Sequence, residues 1–240
     1  MIAMDEFHKF SLTHGLVLVV SVLLVGLVVL TSRRLRSKDP NHAQVMRWWM
    51  GIAVLLFEIL HNVYWLGLRE EGFNLKESLP LHICDVAGLI AVAALLFPSR
   101  RIVTILYFWG VGLSSLAFVV PVITKGPGYV EFWTFWSSHL LIVGGAVFFV
   151  LAEGYRPAFR DLLFAVTVTF AYIMLLLAID IAIDANYGYV GRESEATGFL
   201  GAWPVPRLPL LIMSGIVLQT AAWFPFGVMQ WQRTRDARRP

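Results

Sequence analysis

Over 240 residues the chain is 58% apolar and 15% charged, and its mean hydropathy is +0.71, which together exclude a water-soluble domain. Its one cysteine excludes an internal disulfide framework and any zinc site built on several thiolates. The formal net charge of +3 makes no case for nucleic acid as a partner, because the basic residues cluster beside apolar segments in the manner of topology signals.

A membrane-spanning helix needs about 20 mostly apolar residues, and seven segments reach that length. The first, residues 12–31, is followed by RRLRSK and lacks a small-residue cleavage site, so it reads as an anchor and not a cleaved signal. The second, 45–68, carries Glu58, His61, Asn62 and Trp65 at i, i+3, i+4 and i+7, one stripe on an otherwise apolar cylinder. The third, 79–98, reads LPLHICDVAGLIAVAALLFP and places His82, Cys84 and Asp85 in its first two turns. The fourth, 101–122, adds Ser114 and Ser115. The fifth, 131–152, sets Ser137, Ser138 and His139 about 10–13 Å in from its start. The sixth, 159–184, ends with Asp180 and Asp184, just before Asn186 and Tyr187. Residues 185–206 predict a partly ordered cap, and 207–230 form the seventh span. No stretch outside these segments is long enough for a second domain, so residues 1–240 read as a single all-α, polytopic membrane domain.

Lys and Arg fall unevenly on the two sides. One side takes Arg33, Arg34, Arg36, Lys38, Arg47, Arg100, Arg101, Arg156, Arg160, Arg233, Arg235, Arg238 and Arg239. The other takes Lys9, Arg69, Lys76, Lys125, Arg192 and Arg207. The positive-inside rule then predicts the N-terminus outside and the C-terminus in the cytoplasm.

In that orientation five segments place polar side chains in the outer half of the bilayer. A charged group facing lipid there costs several kcal/mol, so Glu58, His61, His82, Asp85 and His139 are expected to converge on one polar cavity. Ser114, Ser115, Ser137 and Ser138 are expected to serve helix packing, as small hydroxyls commonly do. Cys84 sits near a helix start, where unpaired amides and the helix dipole favour a thiolate. His82 and Asp85 are i, i+3 and share a face, whereas Cys84 lies about 200° round from His82. His139, coming across from the fifth span, is therefore the better base for Cys84, and His61 is second. A thiol beside an imidazole is the minimal activated nucleophile. A rival reading uses Glu58-x-x-His61 and His82-x-x-Asp85 as two nitrogens and two carboxylates for zinc or iron. That set would suit a metal-dependent seven-helix lipid hydrolase. A polar cavity of this kind also describes a transporter or a lipid-binding protein without catalysis.

The string LPLHICD, with FWG at 108–110, FWSSH at 135–139, EGYRP at 153–157, NY at 186–187 and GAWP at 201–204, resembles the YwaF-type bacterial integral membrane proteins. Those are similar to the animal transmembrane protein 164 acyltransferases, which move a fatty acyl chain between phospholipids. More distantly, a small nucleophile paired with one histidine is similar to the androgen-induced membrane esterases. The resemblance spans about residues 57–206 and implies Cys84 as nucleophile and His139 as its base, with no cofactor. Asp85, Asn186 and Tyr187 match motif positions. After NY the chain departs from the pattern, since GYVGRESEATG replaces a more apolar run. The expectation is a lipid acyltransferase or esterase of the bacterial cytoplasmic membrane, working on a phospholipid or other acyl lipid through an acyl-cysteine. Glu58 and His61 would hold the network from the second span, and His82 and Asp85 would orient one another or polarise the carbonyl.

Overall fold

A computed structural model describes residues 6–69, 72–191 and 207–236. All regular structure among them is helical, and the one extended contact is an isolated bridge between Glu6 and Lys125. The helices are α1 (Leu12–Lys38), α2 (Pro40–Val63), α3 (Ile83–Leu96), α4 (Arg100–Tyr107), α5 (Val130–Leu151), α6 (Phe159–Ile183) and α7 (Arg207–Asp236). α2 runs on through a π-helical turn, Tyr64–Leu68. α4 runs on through a π segment, Phe108–Leu113, and a 3-10 turn, Ser114–Phe118. With these extensions, six of the seven are long and apolar enough to cross a membrane, and α3 is a shorter apolar helix. The chain is a multi-pass membrane protein.

Local chemistry explains where the helices break. Ser11 accepts from the His14 amide at the start of α1, Asp39 accepts from Asn41, and Pro40 opens α2 where its missing N–H is not needed. The predicted third span starts later than its apolar run suggests, because Leu79–Leu81 gives its backbone groups to tyrosines. Leu79 N–H donates to the Tyr187 hydroxyl (3.0 Å), and the Tyr172 hydroxyl donates to the Leu81 carbonyl (2.7 Å). The predicted fourth span is one continuous path but not one α-helix, since its middle widens into the π segment.

α3 lies at the centre, packed against α2, α4 and α5. Its buried Ala87, Gly88, Ala91 and Ala94 present little side chain, which lets neighbouring backbones come close, as interfaces between membrane helices require. At its far end Arg47, buried on α2, donates to the Leu95 carbonyl, placing a cation on the negative end of the helix. Exposed Val22, Leu27, Leu60 and Val217 clothe the outside, as a hydrocarbon solvent favours. The π segment of α4 is anchored inside the bundle. Trp109 Nε1 donates to Thr169 Oγ1 (2.8 Å), Gln219 Nε2 donates to the same oxygen (3.2 Å), and Thr169 in turn donates to the Ala165 carbonyl (2.8 Å).

One end of the bundle carries most of the basic residues. There the EGYRP motif is a structural knot. Glu153 pairs with Arg36, the Tyr155 hydroxyl sits 2.8 Å from Thr104 Oγ1, and Arg156 donates to the Val150 carbonyl (2.7 Å). Arg100 grips Asp161, which also accepts from the Ala158 amide at the start of α6. Arg192, the GAWP motif at 201–204, and Arg238 and Arg239 lie outside the described residues.

Candidate functional site

The opposite end of the bundle holds the polar residues that the sequence singled out. A cavity of about 170 Å³ is walled by His61, Asn62 and Trp65 from α2 and its π turn, by residues 77–80, by His82, Cys84 and Asp85 from the start of α3, and by Phe135, Ser138 and His139 from α5. His139 is about 14 Å along α5 from its first residue. Cys84 and His139 thus share one chamber. The hydrogen-bond partner of Cys84 Sγ is Ser114 Oγ, 3.6 Å away, and not the imidazole. Ser114 follows the π segment of α4, so the widened turn brings a hydroxyl that sequence reasoning gave to helix packing onto the thiol.

His139 is buried, and its Nδ1 lies 2.7 Å from the Phe135 carbonyl oxygen one turn back. A carbonyl only accepts, so Nδ1 carries the hydrogen and Nε2 keeps its lone pair. The ring also lies against Phe135, with centroids 4.4 Å apart. His61 stacks on Phe57, and its buried Nδ1 has no partner among the described residues.

Asp85 does not bond the ring of His82, as their shared face suggested. One of its carboxylate oxygens accepts the His82 backbone N–H (2.9 Å), which places Asp85 as a cap on the first turn of α3. The His82 ring is instead met by the turn after α6. Its Nδ1 accepts from the Gly188 amide (3.3 Å), and the rings of Tyr187 and Tyr189 lie at 5.4 and 5.7 Å.

Glu58, Asn186 and Tyr187 are not among the cavity walls. Glu58 is 2% exposed and is pressed on α3 at Gly88, where an added Cβ would come within 2.3 Å of its Oε1. Tyr187 is fully buried and ties the cap together: its hydroxyl donates to the Leu75 carbonyl (2.8 Å), and its amide donates to Asp180 (2.9 Å). Burial raises the pKa of this phenol, which keeps it a donor. Asn186 accepts from the Gly191 amide (3.1 Å). Among the described residues no group of three His, Cys, Asp or Glu is arranged to hold a metal ion. Nothing in the residue pattern points to the Gly188 contact, because the sequence carries no periodic signal there. It also left His14 unassigned, and that buried ring pins α1 to the Phe118 carbonyl (3.1 Å), away from the cavity.

The sequence matches the TMEM164 family over residues 9–224. An uncharacterized protein of Treponema pallidum (strain Nichols) is 28% identical to it over 188 residues, which cover 78% of this chain and 76% of that one. No solved structure matches.

Proposed function

From the premise that this chain belongs to the TMEM164 family, we propose that it is a membrane-embedded lipid acyltransferase or lipid esterase, with Cys84 as nucleophile and His139 as base. One observation carries the reading. Cys84 and His139 wall the same cavity, and the Phe135 carbonyl holds His139 in the tautomer whose Nε2 can take a proton.

In the first half-reaction His139 Nε2 takes the thiol proton, and the sulfur attacks the carbonyl carbon of a lipid ester. The tetrahedral adduct collapses as the ester C–O bond breaks. The leaving alkoxide takes the proton back from the imidazolium, so a lysolipid departs and an acyl thioester remains on Cys84. In the second half-reaction the hydroxyl of an acceptor lysolipid, or water in an esterase, gives its proton to His139 and attacks the thioester. The thiolate leaves and is reprotonated. A cavity of about 170 Å³ holds the ester and its first carbons, with the rest of the chain lying along the apolar exterior.

The test is mass spectrometry of purified protein incubated with phospholipid. An acyl adduct on Cys84 is expected in the wild type. It should be absent in Cys84→Ser and reduced about 10²- to 10⁴-fold in His139→Asn, which keeps a donor for Phe135 and loses the base. Lipid remodelling that persists in full in Cys84→Ala sinks the reading.

A further inference from the structure

Three imidazoles border the cavity, and the backbone fixes two of them, His139 and His82, in opposite tautomers. His139 donates from Nδ1 to a carbonyl and keeps Nε2 as an acceptor. His82 accepts at Nδ1 from the Gly188 amide, so its hydrogen must sit on Nε2. That Nε2–H has no partner among the described residues, and its ring is a cavity wall beside Cys84. We propose that His82 is the electrophilic residue of the reaction: its Nε2–H donates to the carbonyl oxygen of the bound ester and stabilises the oxyanion that forms when Cys84 attacks. The proposal rests on the acyl-transfer reading above and assigns a role within it.

The fold is strained where it holds this tautomer. Gly188 has φ +61° and Tyr189 φ +63°, and Asp184, which ends α6, has φ +54°. Left-handed non-glycine residues are uncommon and persist only where the surroundings over-determine them. Here Tyr187 supplies that surrounding, through its bonds to Leu75, Leu79 and Asp180. At Gly188 a side chain would have to adopt left-handed backbone, and its Cβ would come within 2.7 Å of Leu176 Cδ1, which would have to move aside. The product of all this is one amide aimed at His82 Nδ1.

No proton moves through His82. As sulfur bonds to the carbonyl carbon, the C=O π electrons pass to oxygen, and the Nε2–H hydrogen bond shortens onto that charge. When the ester C–O bond breaks, the electrons return. A donor aimed at developing charge is worth about 10²- to 10³-fold in rate. His82 also escapes the helix register that would turn it from Cys84: it is the residue before α3, with extended backbone at φ −65° and ψ 151°.

The rate of Cys84 acylation in wild type, His82→Ala and His82→Gln decides the matter, with phospholipid as the probe. His82→Ala should lose about 10²- to 10³-fold in kcat with KM little changed. His82→Gln should regain most of it, because its amide nitrogen sits where Nε2 sat. Alkylation of Cys84 by a maleimide should be equal in all three, which reports an intact chamber. Acylation in His82→Ala at the wild-type rate overturns the proposal, as does His82→Gln no better than His82→Ala while both alkylate normally. Should the variants fail to fold, ¹⁵N-histidine NMR of the wild type decides it: His82 must be the Nε2–H tautomer, and Nδ1–H overturns the assignment. Wild-type protein that never acylates Cys84 removes the reaction itself, whereas wild-type acylation with an unaltered His82→Ala rate removes only the role of His82.

Discussion

Single side chains decide what the cavity end of the bundle can do, and most of them were readable from sequence for a simple reason. Helical register is regular, so Glu58, His61, Asn62 and Trp65 had to share one stripe, and His139 had to face inward from α5. The register misled where the chain is not a helix. His82 was placed about 200° from Cys84 by wheel geometry, yet it precedes α3 in extended backbone and joins the same cavity wall. Ser114 was misjudged for the converse reason, because a π turn shifts everything after it. Glu58 makes a separate residue-scale claim. Its carboxylate fills the notch left by the absent side chain of Gly88, so Gly88→Ala should destabilise the protein by about 1–3 kcal/mol. Thermal unfolding in detergent measures this, and pairing the change with Glu58→Ala should return much of the loss. An unchanged midpoint in Gly88→Ala would show that the two helices have room to part.

At the scale of elements, the two π-helical segments among the described residues, Tyr64–Leu68 and Phe108–Leu113, flank the site. Wide turns of this kind are rare and recur at functional positions. The second is held by the bond from Trp109 Nε1 to Thr169 Oγ1, with Gln219 as a further donor. Thr169→Val keeps the shape and removes the acceptor, leaving a buried indole N–H unpaired at a cost of about 1–3 kcal/mol. Because Ser114 rides on that segment, the rate at which a maleimide labels Cys84 should change as well. A lower midpoint with unchanged labelling would separate the anchor from the thiol. None of this was legible beforehand: Gly110 and Gly112 permit a distortion without specifying a π turn, and Thr169 and Gln219, beside Thr167 and Thr220, carry no mark of a shared bond. The cap was hidden too, since no periodicity marks a turn whose conformation is imposed by the bonds of a distant tyrosine.

For the whole molecule, the count of apolar helices came straight from hydropathy, because a hydrocarbon solvent permits little else. What hydropathy missed was the unequal length of its third segment. The basic bias yields a prediction about sidedness, with the cavity end facing outside. The chain has one cysteine, so Cys84→Ala provides a thiol-free background. A cysteine put in place of Lys9 should react with a membrane-impermeant maleimide added to intact cells, and one in place of Ser99 should react only after lysis. The reverse pattern would invert the topology and leave the fold untouched. The brevity of α3 has a consequence of its own. Fourteen residues rise about 21 Å, roughly two-thirds of a typical hydrocarbon thickness. The helix bearing the thiol is therefore shorter than the hydrocarbon around it, and the depth of the cavity below the headgroups depends on how thick that hydrocarbon is. Vesicles of shorter-chain lipids bring the headgroups closer to the level of Cys84, so under the proposed acyl transfer turnover should rise as the host bilayer is made thinner.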